Sequence, residues 1–419
     1  MKRSAKNIDI QNPETCFPWV FECMWRHKKR HDFRKLLYKY GMSKECYELV
    51  METHDRELMV EPVRKITEVC CEQIKTKQLK LPIIKVTRRR DPSSGKMRDI
   101  GVEAPLQQCL DYIARESSNE IFRRRIVLQQ VSSIKKRGQL VGAKMIRSWL
   151  RKDNLAAMYA AKHGLKYTRK CKYFVKLDIR QCFPTADYHR FINLFSRDCG
   201  NNDIIWLWAA LLESHHTILY RTGFDSQYFL RQVEGMMIGS LPSCWAVQYM
   251  LSFIYRYTMN LTYTRCGENI RMVNHALFFM DDLLLFGGNR SKLVKAVKLV
   301  IAECQRLLGF EIKPSWHVVN LDVNAVDMMG FVIHGNGKLT IRGRVFVRAR
   351  RNALRFRRRG KFTLPQARRA CSYKGYFVHS DSTKAVKKYD IGKAVNKAAK
   401  MVSAYDKRKA GMKNAESDI

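Results

Sequence analysis

Apolar residues recur at helical spacing along most of the chain. This spacing predicts helices over residues 1 to about 75, over 106–165, at the start of 200–230, from about 290 to 308, and over much of 342–419. The first of these stretches is rich in Lys, Arg, Glu and Met and contains no long low-complexity segment. A substantial helical content is therefore expected from the pattern alone.

Shorter segments between the helices alternate between apolar and polar residues, as half-buried strands do. Strands are predicted around a turn at 91–95 ("DPSSG"), at 173–179 ("YFVKLDI"), in a hairpin over 275–288, and at 328–334 and 339–347 around the turn "GNG". Helices and separated strands follow one another without regular βαβ winding. The order predicts an α+β fold.

One uncharged run, Gly235–Tyr255, is about as long as a membrane span. It contains Pro242 and Ser240 near its start, however, and these residues are typical of a turn. The run is therefore predicted to be a loop that enters a buried helix, from Cys244 to about Met259.

The segment "LFFMDDLLLFGG" (277–288) places Asp281 and Asp282 inside an apolar hairpin. An ionised carboxylate avoids apolar surroundings unless a cation or hydrogen-bond donors compensate it. Asp178 ends the predicted strand 173–179, about a hundred residues earlier. If that strand lies beside the hairpin, the three carboxylates converge and could hold two divalent cations, for which Mg²⁺ is the expected ion and Mn²⁺ an alternative.

The chain carries an unusually large positive charge. The sequence has 78 Lys and Arg against 38 Asp and Glu, a net charge of +40. Such an excess repels itself in a compact state unless a polyanion is usually bound. Phosphate backbones are the expected partner. An anionic membrane is less favoured, because no basic amphipathic anchor with a separate apolar face stands out.

The 13 cysteines are scattered, and no CxxC pair occurs. Neither a zinc site nor a disulfide framework is therefore predicted. The N-terminal sequence "MKRSAKNIDIQNPE" does not resemble a signal peptide. We therefore expect a reducing cytoplasmic location.

Several segments, in order, resemble motifs of the bacterial, non-retroviral reverse transcriptases. "FFMDD" is similar to the YxDD box with Phe279 in place of tyrosine, and "VKLDIRQCFPT" is similar to the first aspartate motif. The other resembling segments are "KMRDIGVEAPLQQ" and "SSIKKRGQ" of the fingers, the glycine-rich palm loop "EGMMIGSLPSCWAVQ", the primer grip "MMGFVIH", and the thumb segment "SYKGYFVHSDS". The resemblance covers roughly residues 80–400.

The resemblance implies a right-hand polymerase, with fingers, a palm built on an antiparallel sheet, and a helical thumb. It divides the chain into an N-terminal helical extension (1–75), a fingers and palm domain (76–335), and a basic helical thumb and tail (336–419). An RNA-directed DNA polymerase, which is a nucleotidyltransferase, is the implied activity. The implied partners are a structured RNA template, its cDNA product and dNTPs, with no membrane.

The resemblance also implies catalytic roles. Asp178 and Asp281 would be the principal metal ligands, assisted by the backbone carbonyl of Ile179, with Asp282 nearby and partly structural. Lys313 is the candidate general acid for pyrophosphate, with His317 second. A surface lysine is the alternative interpretation of Lys313.

Further positions are expected to bind the incoming nucleotide. Phe183 would exclude a 2′-hydroxyl, although it could instead be a core residue. Arg98, Arg90 and Lys96 would hold the triphosphate. The segment "TRRRD" could instead be a solvated or RNA-binding strand. Gly239 and Ser240 would let the backbone approach the template–nucleotide pair, and an ordinary turn is their alternative.

The segment "RARRNALRFRRRGKF" (348–362) interleaves arginines with two phenylalanines, an arrangement suited to phosphate contacts and base stacking. The RNA-binding residues expected there are Arg355, Arg357, Arg358, Arg359 and Lys361. For any single arginine, a solvated basic helix is the alternative. Only a short tail follows the thumb, so no RNase H or endonuclease domain is expected.

The sequence leaves five functional hypotheses open, one of which is a template-independent polymerase that makes DNA from a priming residue of its own. The favoured one is a stand-alone enzyme of antiphage defence that copies a dedicated non-coding RNA. The enzyme of a diversity-generating retroelement and a retron enzyme are the alternatives within the family. A non-enzymatic RNA-binding protein with a palm fold is the alternative from another class.

Overall fold

The computed structural model describes residues 3–90, 96–221, 227–359 and 363–415, and the side chains of 356–359 and 407–415 lie outside this description. The predicted turn at 91–95 also lies outside the described residues. All thirteen cysteines are described, and each is a free thiol.

The N-terminal region is helical, as the sequence predicts. Its four helices are α1 (Pro13–His27), α2 (His31–Lys39), α3 (Lys44–Thr53) and α4 (Val60–Lys75), with a single 3₁₀ turn at Glu57–Met59. Side-chain caps start two of them, because Asn12 accepts a hydrogen bond from the Glu14 amide and Ser43 from the Cys46 amide. Their buried faces join the largest hydrophobic core of the protein.

The two strands predicted around residue 93 are present as β1 (Ile84–Arg90) and β2 (Met97–Val102). They pair antiparallel, and β1 also pairs in parallel with β4 (Thr217–Arg221), which in turn pairs with β5 (Phe229–Gln232). The sheet therefore has the order β2-β1-β4-β5. The sequence indicated an extended segment at the end of 200–230 but not its partner.

Six of the described helices lie between β2 and β8 along the chain: α5 (Pro105–Ser117), α6 (Asn119–Arg125), α7 (Gln139–Lys162), α8 (Tyr188–Asp198), α9 (Asn202–Glu213) and α10 (Leu241–Asn260). Phe122, Phe191, Trp208 and Tyr249 pack together where four of these helices meet. The uncharged run is a loop and a buried helix, as predicted, with the helix beginning three residues early at Leu241. Within the described ranges no helix has the length and apolar character needed to cross a bilayer.

The second sheet is antiparallel throughout, in the order β10-β3-β9-β8. Its strands are β3 (Tyr173–Asp178), β8 (His275–Phe279), β9 (Asp282–Gly287) and β10 (Val318–Asn320). β8 and β9 form the predicted hairpin. It is followed by α11 (Arg290–Glu303), which ends in a π-helical turn at Cys304–Leu308. A small hairpin that the sequence did not indicate, β6 (Thr262–Arg265) and β7 (Glu268–Arg271), precedes β8.

A third sheet, β11 (Val326–Met328), β12 (Phe331–Ile333) and β13 (Leu339–Ile341), leads into five helices. These are α12 (Gly343–Arg359), α13 (Leu364–Ser372), α14 (Lys374–Val378), α15 (Thr383–Lys388) and α16 (Ile391–Ala415). Packing among these helices is centred on a separate, alanine-rich core that includes Ala353, Ala367 and Ala398.

The prediction of a strand over 339–347 was wrong beyond Ile341. Residues from Gly343 onwards form α12, although Val345 and Val347 favour strands locally. Phe346, Ala349 and Ala353 follow helical spacing, and the two alanines are buried. Burial of this face therefore overrides the local preference of the valines.

Candidate active site and family membership

The three aspartates lie at one edge of the antiparallel sheet. Asp178 is the last residue of β3, and Asp282 is the first of β9 and its direct register partner. Asp281 occupies the tight turn before β9, where Met280 adopts a positive φ of 53°. The Ile179 amide donates to the Asp281 carbonyl at 3.0 Å, which ties this turn to the end of β3. The predicted convergence of the carboxylates is therefore present.

Two lysines outside the hairpin form ion pairs with two of these carboxylates. Lys313 Nζ lies 2.6 Å from Asp178 Oδ1, and Lys176 Nζ lies 3.0 Å from Asp282 Oδ1. Lys176 is two residues before Asp178 and shares its face of β3. All four side chains are about a quarter to two fifths exposed, so these ion pairs contribute little stability and can exchange for other cations.

Asp281 is the most unfavourably placed of the three carboxylates. Burial raises the pKa of Asp281, the neighbouring charges of Asp282 and Asp178 raise it further, and Arg98 opposes the shift. The side chains as they stand do not form a ready-made metal cage: across the described residues no three His, Cys, Asp or Glu groups are arranged to hold an ion. Asp178 and Asp282 are instead paired with Lys313 and Lys176.

The predicted glycine-rich loop packs against the segment that follows β3 and against β2. Gly235 has a φ of +75°, and a Cβ there would lie 2.1 Å from the Pro184 carbonyl oxygen. The next amide, of Met236, donates to the Phe183 carbonyl at 2.8 Å. The ring of Phe183 is partly buried against the main core, so the core interpretation and the sugar-gate interpretation both remain compatible with its position.

Gly239 and Ser240 differ in what they do locally. Gly239 has a φ of +107°, and a Cβ there would lie 2.9 Å from the carbonyl oxygen of Gly101 in β2. Ser240 is buried, and its hydroxyl accepts from the Ser243 amide as the N-cap of α10. The Gly101 amide donates to the Ile238 carbonyl at 3.1 Å. The loop and β2 are thus joined through backbone contacts that only glycine permits.

The candidate triphosphate-binding cations lie on the first sheet. Arg98 is opposite Arg89 in the β1–β2 register, Arg90 is opposite Met97, and Lys96 directly precedes β2. All of these basic side chains are exposed. The charge of Arg98 reaches Asp281 and opposes the rise in its pKa.

A buried polar network below the glycine-rich loop was missed by the sequence reasoning. His215 Nε2 lies 3.4 Å from Glu103 Oε1, and Ser243 Oγ lies 3.4 Å from His215 Nδ1. Contacts with His215 keep the pKa of Glu103 below its usual value despite burial, whereas burial and the adjacent Glu103 carboxylate raise the pKa of Asp111 well above its own. The pKa values of the neighbouring Glu103 and Asp111 carboxyl groups are thus shifted in opposite directions. Only the position of Glu103, directly after β2, could have been a signal in the sequence.

The predicted thumb residues fall on α12 or beyond it. Arg355 is exposed on α12. Arg357, Arg358 and Arg359 belong to the same helix, but their side chains lie outside the description, and Lys361 lies outside the described residues altogether. Their roles stay predictions.

The model of the family "Reverse transcriptase (RNA-dependent DNA polymerase)" matches residues 119–333, a little over half of the chain. The chain belongs to this family. The matched range contains Asp178, Asp281 and Asp282, and the reverse transcriptase is thus an RNA-directed DNA polymerase, as predicted. Its α+β right-hand fold with an antiparallel palm sheet is confirmed as well.

Solved telomerase structures are similar to this reverse transcriptase at low identity. Apo telomerase of Candida tropicalis, truncated from its C-terminal domain, is 15% identical with a TM-score of 0.42, and the match covers 72% of this chain and 71% of that one. Telomerase of the same yeast in complex with a telomeric RNA fragment is 14% identical with a TM-score of 0.45, covering 86% and 65%. The corresponding Candida albicans complex is 9% identical with a TM-score of 0.41, covering 79% and 62%. No curated protein matches the chain.

Proposed function

We propose that this reverse transcriptase adds dNTPs to a 3′-hydroxyl on an RNA template, with two Mg²⁺ ions held by Asp178, Asp281 and the carbonyl of Ile179, and with Asp282 beside them. The observation that carries this proposal is the register of Asp178 with Asp282 and the position of Asp281 in the adjoining turn. An oxygen-only donor set with carboxylates on two strands fits hard divalent cations. Its test, the loss of synthesis on replacing Asp281, opens the Discussion.

When bound, the metal ions would supply activation of the 3′-hydroxyl and charge neutralisation at the leaving pyrophosphate. The remaining work falls to side chains of the chain. Lys313, which now contacts Asp178, would release that carboxylate and donate a proton to pyrophosphate. Arg98, with Arg90 and Lys96, would bind the triphosphate, and the turn of Gly239 would leave room for the base pair.

Two substitutions can distinguish proton donation by Lys313 from the effect of its positive charge. Lys313→Gln is expected to lower the rate of single-nucleotide addition by about 10²-fold or more, the range for losing a general acid, with little change in KM for dNTP. Lys313→Arg keeps a cation beside Asp178 but cannot readily give up a proton. Equal loss in both variants, measured by rapid quench, supports the acid role; recovery with Arg would show that Lys313 acts only as a charge.

Phe183 is expected to select the sugar. Phe183→Ala should raise the ratio of kcat/KM for a ribonucleotide over the matching deoxynucleotide by about 10-fold or more, because the aromatic ring would no longer fill the space beside the 2′-position. The measurement is single-nucleotide addition with each triphosphate in turn. Phe191→Ala, which removes an aromatic ring from the same core on α8, serves as the control; unchanged selection in Phe183→Ala would identify Phe183 as a core residue.

We further propose that the enzyme works in the cytoplasm in antiphage defence and copies one structured non-coding RNA. The net charge of +40 supports a large polyanionic partner. The family likeness of the motifs "SSIKKRGQ" and "SYKGYFVHSDS" supports the class. A diversity-generating retroelement and a retron are the alternatives.

The experiment is to sequence the RNA and DNA that co-purify with the protein from its own cells, with and without phage infection. One structured RNA with a defined cDNA is the expected result, together with loss of protection in Asp281→Ala cells. Copies of a repeat mutated at adenines would instead indicate diversification. RNA without cDNA would indicate a binding protein.

A further inference from the structure

One face of α7 carries large apolar side chains that no other part of the described chain covers. Leu155, Met158 and Tyr159 are 65%, 69% and 62% exposed, and their spacing places them together on the helix. Val323, in the segment after β10, is 76% exposed. Exposed apolar side chains gathered in this way mark interaction surfaces.

These residues lie along a groove of about 760 Å³ between α7 and the segments that follow β10 and β12. Its lining includes three of the exposed apolar side chains and two arginines: Leu155, Met158, Val323, Arg151 and Arg169. We call it the α7 groove. Asn154 donates to the Gly335 carbonyl at 2.6 Å, which fixes the opposite wall to the helix.

The α7 groove is rich in cations, and the acidic residues beside it are already paired. The only acidic residue of α7, Asp153, is buried and accepts hydrogen bonds from the amides of Lys170 and Cys171. Asp322, in the lining, forms an ion pair with Arg169. Arg151 lies one turn before Leu155, and Lys162 one turn after Met158. The apolar floor is therefore bracketed by cations, with no uncompensated carboxylate among the described lining residues.

We propose that the α7 groove docks an acidic amphipathic helix of a partner protein. Apolar side chains of that helix would cover Leu155, Met158 and Val323, and its carboxylates would pair with Arg151 and Lys162. An aliphatic floor offers nothing to phosphates, and a concave surface does not fit a bilayer. A second copy of this chain would bring together two molecules that each carry +40.

The test uses synthetic peptides of about 18 residues, enough to follow α7 from Arg151 to Lys162 at about 1.5 Å per residue. Two peptides share leucines at i, i+3, i+4 and i+7 and a photo-crosslinker; one carries Glu at its polar positions and the other Gln. Binding to the full-length protein is measured by fluorescence anisotropy. The variants are the double substitution Leu155→Glu/Met158→Glu and the control Leu49→Glu, which alters an exposed leucine on α3.

We expect the Glu peptide to bind more tightly than the Gln peptide and to crosslink within 151–162 or 321–325. The double variant should weaken it by at least about tenfold, since two buried apolar side chains are worth more than one decade of affinity, and Leu49→Glu should not. Crosslinks elsewhere, or equal binding by the double variant, would overturn the proposal. The proposal would also be overturned if the double variant instead lost binding to a single-stranded RNA oligonucleotide or to anionic vesicles, or lost self-association in a sedimentation experiment. The test does not depend on polymerase activity.

Discussion

Replacing Asp281 by alanine is expected to abolish DNA synthesis on a primed RNA template, with a rate loss of more than about a thousandfold. Removing a carboxylate that holds a catalytic cation forfeits several kcal/mol of transition-state stabilisation, and each 1.36 kcal/mol is a factor of about ten. The measurement is extension of a primer by purified protein with Mg²⁺ and dNTPs.

The same substitution should not weaken the fold. Burial and two neighbouring carboxylates raise the pKa of Asp281. The ionised side chain therefore destabilises the folded state, and alanine removes this destabilisation. We therefore expect a thermal midpoint equal to or above that of the wild type. Glu311→Ala is the matched control, because Glu311 is an exposed carboxylate on the segment beside Asp178 that forms an ion pair with exposed Arg180. Synthesis that persists in Asp281→Ala would contradict the metal site.

Breaking the buried pair of Glu103 and His215 is expected to have the largest effect on stability. His215→Phe keeps a ring of similar size but leaves the Glu103 carboxylate, 5% exposed, without its partner. Leaving a buried carboxylate without a hydrogen-bond partner costs about 1–3 kcal/mol or more. Chemical unfolding at neutral pH measures the loss.

A double-mutant cycle distinguishes this pair from ordinary packing. Glu103→Gln/His215→Phe should be more stable than the sum of the single changes predicts, because the uncompensated charge is gone. Asp111→Asn is the control: burial and the neighbouring Glu103 carboxylate raise the pKa of Asp111 well above its usual value, which disfavours its charged form, so a neutral amide of the same shape should cost little. Additive single and double effects would show that Glu103 and His215 are not coupled.

The local parts of the fold could be predicted from the sequence. The alternation in 173–179 and 275–288 was sufficient to predict β3 and the β8–β9 hairpin, and with them the convergence of Asp178, Asp281 and Asp282. Lys176 could also have been found, since it shares the face of Asp178 on β3. Short periodic patterns of this kind are carried by a few adjacent residues.

Features that depend on contacts between residues far apart in the sequence could not be predicted. The parallel pairing of β4 with β1 joins residues more than 130 positions apart, and the contact of His215 with Glu103 spans 112. The helix at Gly343 contradicts the strand preference of Val345 and Val347, because burial against α13 and α16 decides it. None of these features leaves a local pattern.

The alanine-rich core shared by α12, α13 and α16 has a kinetic consequence. Alanines bury little apolar area, so this core is held by a smaller hydrophobic free energy than the leucine- and phenylalanine-rich main core. Amide hydrogens of these helices should then exchange with solvent through an opening that leaves the palm strands protected. The C-terminal helices should therefore open and close as a separate cooperative unit while the carboxylate edge of the palm sheet stays rigid.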